Sequence, residues 1–325
     1  TVVEDQETPE ESTVVEMDDG SVVVDFDPME ELTESEDSFQ SNLAEYLEES
    51  ELNESASDLV SKFNSDKSSR GDWEDTYEQG LDQLGLEIEE RTTPWSGACG
   101  VFHPMLSEAV VRFQAQTIQE IMPAQGPVKT HVWGKFTPER QAQAKRVQEY
   151  MNYQLIEVMT EYRSETEKLL FSLPLAGSAF RKIYFDPSLG RPTSMFVPAE
   201  DFVVSYNESE LEQAERYTHV MNRSTNQIKK LQVNNFYRDV ELTSSHIEDN
   251  AITSKYNDIG GVRPSYENDE RHQLLEMHVD VDLPGYEDED GVALPYVITI
   301  DKGSNTILSI YRNWSEDDSK KIKKQ

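Results

Sequence analysis

Leu274-Leu275-Glu276-Met277-His278-Val279-Asp280-Val281-Asp282-Leu283 alternates apolar with polar residues over most of its length. A period of two puts successive side chains on opposite faces of a strand. Tyr296–Ile300 and Thr306–Trp314 repeat the pattern and are rich in β-branched and aromatic residues. Asp301-Lys302-Gly303-Ser304-Asn305 joins them with the composition of a hairpin loop. Together the three stretches predict an antiparallel meander.

Upstream of the meander, Ala179–Phe185, Met195–Val197 and Phe202–Val204 read as further strands, with a turn at 186–190 and another at 198–201. A helical patch is expected over Thr225–Leu231, opened by Ser224 or Thr225, and the polar stretch 239–270 reads as an extended loop. Before residue 178 the period changes to that of a helix. Met105, Ala109, Phe113, Thr117 and Ile121 recur every four residues between Pro104 and Met122, and Pro123 stops that helix. Pro123–Pro127 is a turn, and Val128–Trp133 reads as a short strand. Thr137 then caps a helix from Pro138 to about residue 170, with Val147, Met151, Leu155, Val158 and Tyr162 on one stripe. At 1.5 Å per residue such a helix is a strut roughly 45 Å long, ended by Pro174 and Gly177. Trp73, Tyr77, Leu81 and Leu84 predict a shorter helix over 72–84, ended near Gly85. Pro94–Gly100 is a structured loop. The fold class is therefore α+β, with helices over 72–177 and mainly antiparallel strands over 178–325.

Residues 1–90 read differently. They hold 30 Asp and Glu against Lys62, Lys67 and Arg70, within a chain whose formal net charge is -35. Like charge at low hydrophobicity does not offset an ordering cost of about 1–2 kcal/mol per residue. Residues 1–71 are accordingly expected to be a disordered acidic tail, solvated or docked on a basic partner. The single Cys99 excludes an internal disulfide framework and paired-thiolate zinc sites. The N-terminus lacks the features of a signal peptide, and no apolar run approaches the roughly 18–20 residues that span a bilayer. A soluble, intracellular product with no membrane partner is the expectation.

Motifs that carry chemistry are scarce. Gly134-Lys135-Phe136-Thr137 lacks the upstream glycine of a phosphate-binding loop. Cys99 and His103 stand four apart without an orienting carboxylate nearby, and His131, His219, His246, His272 and His278 are scattered. Tyr286-Glu287-Asp288-Glu289-Asp290-Gly291 has four carboxylates but not the alternating ligands of a calcium loop, and reads as a solvated hairpin tip. Arg140, Lys145 and Arg146 cluster on the long helix, and Arg181 with Lys182 on a strand. A solvated face or a subunit contact suits both groups better than phosphate, since a net-acidic chain releases few counterions on DNA. Catalytic, cofactor-binding and metal residues are therefore expected to be none, and the protein is not expected to be an enzyme.

Five stretches carry a resemblance. Pro94–Leu106, Glu108–Gln116, Met122–Lys129, Val197–Phe202 and Ile310–Trp314 together resemble the body of portal proteins from short-tailed double-stranded DNA phages. The similarity runs in order over about 94–320 and lies in the series rather than in one motif. It implies a head-to-tail connector: a homo-oligomeric ring of about twelve subunits closed by a heterologous contact. Such a ring sits at one capsid vertex of the virion, having been assembled in host cytoplasm. Its implied partners are the terminase motor, capsid and scaffold proteins, a tail adaptor, and passing DNA that it does not bind by sequence. The family carries no catalytic residues, so none are transferred. The chain's end at Lys320-Lys321-Ile322-Lys323-Lys324-Gln325 reads as a truncation before the family's stem helix and clip, leaving a wing-like portion. An acidic, non-enzymatic scaffold or chaperone-like interaction module is the alternative.

Overall fold

The computed structural model describes residues 13–16, 22–25, 39–85, 92–101, 103–186, 189–211, 214–242, 250–261, 271–288 and 291–315. The chain divides into two units, Thr1–Ser41 and Asn42–Gln325. In the first unit β1 (Thr13–Glu16) pairs antiparallel with β2 (Val22–Asp25), Val14 opposite Val24 and Val15 opposite Val23. β-branched residues favour that pairing. Other residues up to 38 in the expected acidic tail lie outside the described residues, as do His246, the carboxylates of Glu289 and Asp290, and the lysine-rich end.

The second unit is α+β, with seven α-helices and antiparallel strands among the described residues. Its main sheet runs β5 (Phe202–Val204), β6 (Arg216–Ser224), β7 (Arg271–Val281), β8 (Leu294–Asp301) and β9 (Thr306–Arg312), each antiparallel to the next. Leu275 faces Ile300, Met277 faces Ile298, and Val279 faces Tyr296 across the β7–β8 ladder. All six side chains are buried. The meander expected at the end of the chain is thus β7–β8–β9.

What covers that sheet corrects the expectation of a disordered tail through residue 71. Glu49–Ser69 forms α1, and Leu52, Ala56, Leu59 and Phe63 lie in the same core cluster as Leu275, Ile298 and Ile310. Their spacings of four, three and four place them on one helical face. Burying each of the two leucines and Phe63 contributes about 1.5–3 kcal/mol. That apolar stripe outweighs the surrounding acids, most of which face water. Ahead of α1, Asn42 reaches the edge of the sheet. Its Nδ2 donates to the Leu308 carbonyl at 3.1 Å, and its Oδ1 accepts from Ile310 N–H at 2.9 Å.

At the end of α1 the chain turns at Arg70 into α2 (Gly71–Gly85), slightly longer than the helix expected over 72–84. Buried Arg70 donates to the carbonyls of Ala199, Phe202 and Glu200 at 3.0, 2.9 and 2.7 Å. One guanidinium therefore fixes the turn between β5 and the preceding strand. That strand, β4 (Arg191–Val197), forms a hairpin with β3 (Phe180–Asp186). Glu161 and Glu165 accept from Ser194 N–H and Phe196 N–H at 3.3 and 2.7 Å, satisfying the hairpin's helix-facing edge. Phe180 stacks on Phe202 with centroids 4.1 Å apart, joining hairpin to sheet.

Three further expectations change. The strut expected from Pro138 to about 170 is two helices, α4 (Pro138–Tyr153) and α5 (Tyr162–Ala176), separated by a π turn at Gln154–Val158. No Pro or Gly marks the break. Tertiary contacts make it: Met159 turns into the interior, and Glu161 is held by Arg191 Nη1 at 2.9 Å to each carboxylate oxygen. α5 continues past Pro174 to Ala176, and Gly177 at φ 79° closes it. The loop expected over 239–270 contains α7 (Ala251–Gly260), anchored by fully buried Ile252. Strand β6 was not anticipated, because Thr218, His219 and Asn222 break its apolar pattern. The remaining helices, α3 (Met105–Ile121) and α6 (Thr225–Val233), fall where expected, and Ser224 with Gln227 forms a capping box at the start of α6.

Candidate functional site

The segment between α3 and α5 is organised unlike the rest of the molecule. Gly126 adopts φ +96°, a left-handed turn open to glycine, and brings the chain back along α4. Asn152 grips it there, accepting from Val128 N–H at 2.8 Å and donating to Val128 C=O at 3.1 Å. One turn earlier on the helix, Gln148 accepts from Thr130 N–H at 3.3 Å, and Thr130 Oγ1 donates to Ala144 C=O at 3.0 Å. The short strand expected at Val128–Trp133 is therefore not a strand. Helix side chains, rather than a neighbouring strand, satisfy part of its backbone. Thr137 caps α4 as expected, accepting from Arg140 N–H at 3.3 Å.

This arm has no core. No residue from Pro123 to Val158 is buried. Trp133 is 86% exposed, Phe136 71% and Tyr150 61%, with Val147, Met151, Tyr153 and Ile156 also exposed. Isolated exposed apolar residues are ordinary, but seven large ones along one arm are a patch with meaning. The apolar stripe read along the long helix is thus only partly covered. α5 does meet α3, where Gln114 donates to Glu167 C=O at 2.8 Å, but the α4 stripe faces water. The arm is also a basic island, with Lys129, Lys135, Arg140, Lys145 and Arg146 against Glu139, Glu149 and Glu157.

Among the described residues, the candidates for chemistry in the sequence form no metal-holding cluster. Cys99 is exposed. Among the described residues no three His, Cys, Asp or Glu side chains stand close enough to hold a metal ion. None of those residues is long and apolar enough, as a helix, to cross a membrane. Three histidines do acquire partners that sequence spacing did not reveal, because strand register creates them. His278 lies opposite Tyr217 and stacks on it at 4.5 Å, while His219 lies opposite Glu276. Lys182 reaches across from the hairpin to Glu276, 2.7 Å from its Oε2. Burial pushes the Glu276 carboxyl up, but its bonds to His278 and Lys182 outweigh this and bring it to about 2. Burial lowers His219 to about 4. His272 and Asp301 are both buried, 3.6 Å apart, and His272 Nε2 is 3.3 Å from Thr225 Oγ1. At 3.6 Å the His–Asp contact is longer than a hydrogen bond.

Among the described residues two cavities stand out. One of about 270 Å³ is lined by Thr225, Lys229, Glu241 and His272. The other, about 550 Å³, lies among Gln114, Phe171, Phe196, Glu200 and Tyr256. Beside it Tyr77 and Tyr256 share a hydroxyl hydrogen bond of 2.7 Å, and burial raises the Glu200 carboxyl to about 7. The Arg70 charge relieves that carboxyl only in part, because its donors go to the backbone and to Glu74. Comparison with known proteins finds no matching family model and no matching curated protein.

Proposed function

We propose that this protein is a subunit of a phage portal ring, the conduit through which double-stranded DNA enters and leaves a capsid. The observation that carries the reading is the coreless arm, Pro123–Val158. In a single chain it leaves seven large apolar side chains in water, and a surface of that kind is stable when another subunit covers it. The five stretches that resemble portal proteins support the same reading, and one of them, Met122–Lys129, enters the arm. The work of such a protein is geometric and non-enzymatic. Its acidic body repels phosphate, so DNA passes without being held.

Native mass spectrometry of the protein tests the proposal. A closed ring of about twelve subunits is expected. A protein that never exceeds a dimer at micromolar concentration overturns it. Binding of basic proteins by such a small species would then favour an acidic scaffold or chaperone-like module.

A further inference from the structure

We infer that the arm's occupant is a second copy of this chain, and that the arm docks on the acidic outer face of the next copy's α1–α2 helices. The inference rests on the ring reading and adds the pairing of surfaces. Charge carries it. The arm is a net-positive stretch of a chain whose formal net charge is -35, with five bases against three acids. Glu49–Gly85 is the reverse, with ten acids against three bases.

Two of the three bases of α1–α2 already have partners of their own. Arg70 is buried and bonded to three carbonyls and Glu74. Lys62 is 2.7 Å from Asp58. Asp66 is turned inward to Arg216, whereas Glu54, Asp58, Asp72 and Asp75 remain exposed. On α4 the exposed stripe of Val147, Tyr150 and Met151 is flanked at helical spacing by Arg140 and Arg146, both exposed. Aromatic and arginine side chains are the types enriched where interfaces bury area. Two exposed helical faces of opposite charge on one chain give a heterologous contact, which closes into a ring when the rotation allows. A polynucleotide would also attract the arm's cations, but the surrounding body of negative charge opposes it.

A charge-swap experiment on the intact protein decides the matter. The arm variant carries Arg140→Glu and Arg146→Glu. The helix variant carries Asp72→Arg and Asp75→Arg. Each alone places like charges across the contact, and each should associate about tenfold or more weakly than wild type. Mixed in equal amounts, the two should alternate around the ring and restore assembly. Circular dichroism melting of each variant confirms that it is folded, since all four residues are exposed. Wild-type assembly should also weaken between about 50 and 500 mM salt.

If wild type forms rings and both variants form them equally well, the pairing is wrong while the ring reading stands. If the arm variant fails and the mixture does not recover, α1–α2 is not the occupant. If wild type retains duplex DNA and the arm variant does not, the arm belongs to nucleic acid instead. If wild type never assembles, both proposals fall.

Discussion

Arg216 holds Asp66 through two parallel hydrogen bonds, Nε to Oδ2 at 2.7 Å and Nη2 to Oδ1 at 2.8 Å. The pair links α1 to β6 across 150 positions of sequence, and the Asp66 side chain is only 5% exposed. A planar fork on a carboxylate is the strong form of ion pair. Removing one partner strands the other charge in a nearly dry site. Asp66→Ala should therefore lower unfolding stability by about 3 kcal/mol, read from urea denaturation. Surface pairs such as Arg112 with Glu108 contribute far less, so Glu108→Ala should change stability by about 0.5 kcal/mol or less. Equal effects from the two substitutions would show that α1 is not locked to β6 in this way.

Stability should respond to pH near neutrality through opposing groups. Burial raises Glu200 to about 7 and Asp201 to about 6, so the folded state holds protons that the unfolded chain releases at lower pH. Their stabilising effect is fully present below the ordinary carboxylate range and is lost as pH rises through about 6 to 7. His219 works in the other direction. Lowered to about 4 by burial, it stays neutral when folded, and its effect is lost as pH falls from 6.5 toward 4. In wild type the two trends partly cancel between pH 4.5 and 6.5, and Glu200 leaves a net decline toward pH 7.5. Thermal melting across that range should show Glu200→Gln removing the decline above pH 6.5. His219→Leu should steepen the loss of stability with rising pH. A profile that Glu200→Gln leaves unchanged would mean that this carboxyl is not held proton-bound in the fold.

How much of this was legible in the sequence depends on which physical cue dominated each segment. β7, β8 and β9 were plain, because one face is buried and the period of two survives. α1 was hidden by composition. Leu52, Ala56, Leu59 and Phe63 have a helix's spacing, but fifteen acids precede residue 41 and six more follow by Asp58, so charge density overrode period. α7 was missed for a similar reason, since Ile252, Tyr256 and Ile259 recur correctly within a polar stretch. The break between α4 and α5 had no local cue at all, since the contacts of Met159 and Glu161 come from elsewhere in the chain. The candidate site was the least legible part. Val147 and Met151 have the spacing of a buried stripe, and periodicity does not distinguish a stripe covered by its own chain from one left for another.

The arm's internal clamp can be tested apart from the core. A Cβ at Gly126 would stand 2.5 Å from the Asn152 amide, which is the group that holds Val128. Gly126→Ala would also strain a φ of +96°. The arm contributes no buried residue, so the melting temperature should fall by only a few degrees, about 1 kcal/mol or less. Amide exchange at Val128 and Thr130 should accelerate, while β7 and β8 keep their protection. Rapid exchange across β7 as well would show that the arm and body unfold as one unit.

Asn42 supports an edge that would otherwise be open to pairing. Its Oδ1 accepts from Ile310 N–H on β9 and from Ala44 N–H at 3.1 Å, so one amide both opens the first turn and closes the sheet. The Leu308 carbonyl has a second donor, Arg238 N–H at 2.9 Å, and remains satisfied without Asn42. The loss in Asn42→Ala therefore falls on Ile310 N–H, in the middle of a strand whose Ile307, Leu308 and Ile310 are buried. Leaving a buried donor without a partner costs about 1–3 kcal/mol. The same change uncovers part of an apolar edge strand, which is a template for pairing with another chain. Asn42→Ala should lower the urea midpoint accordingly, speed exchange of the Ile310 amide, and raise concentration-dependent scattering on warming. If Asn42→Ala leaves exchange at Ile310 at the wild-type rate, the edge is closed by something other than this side chain.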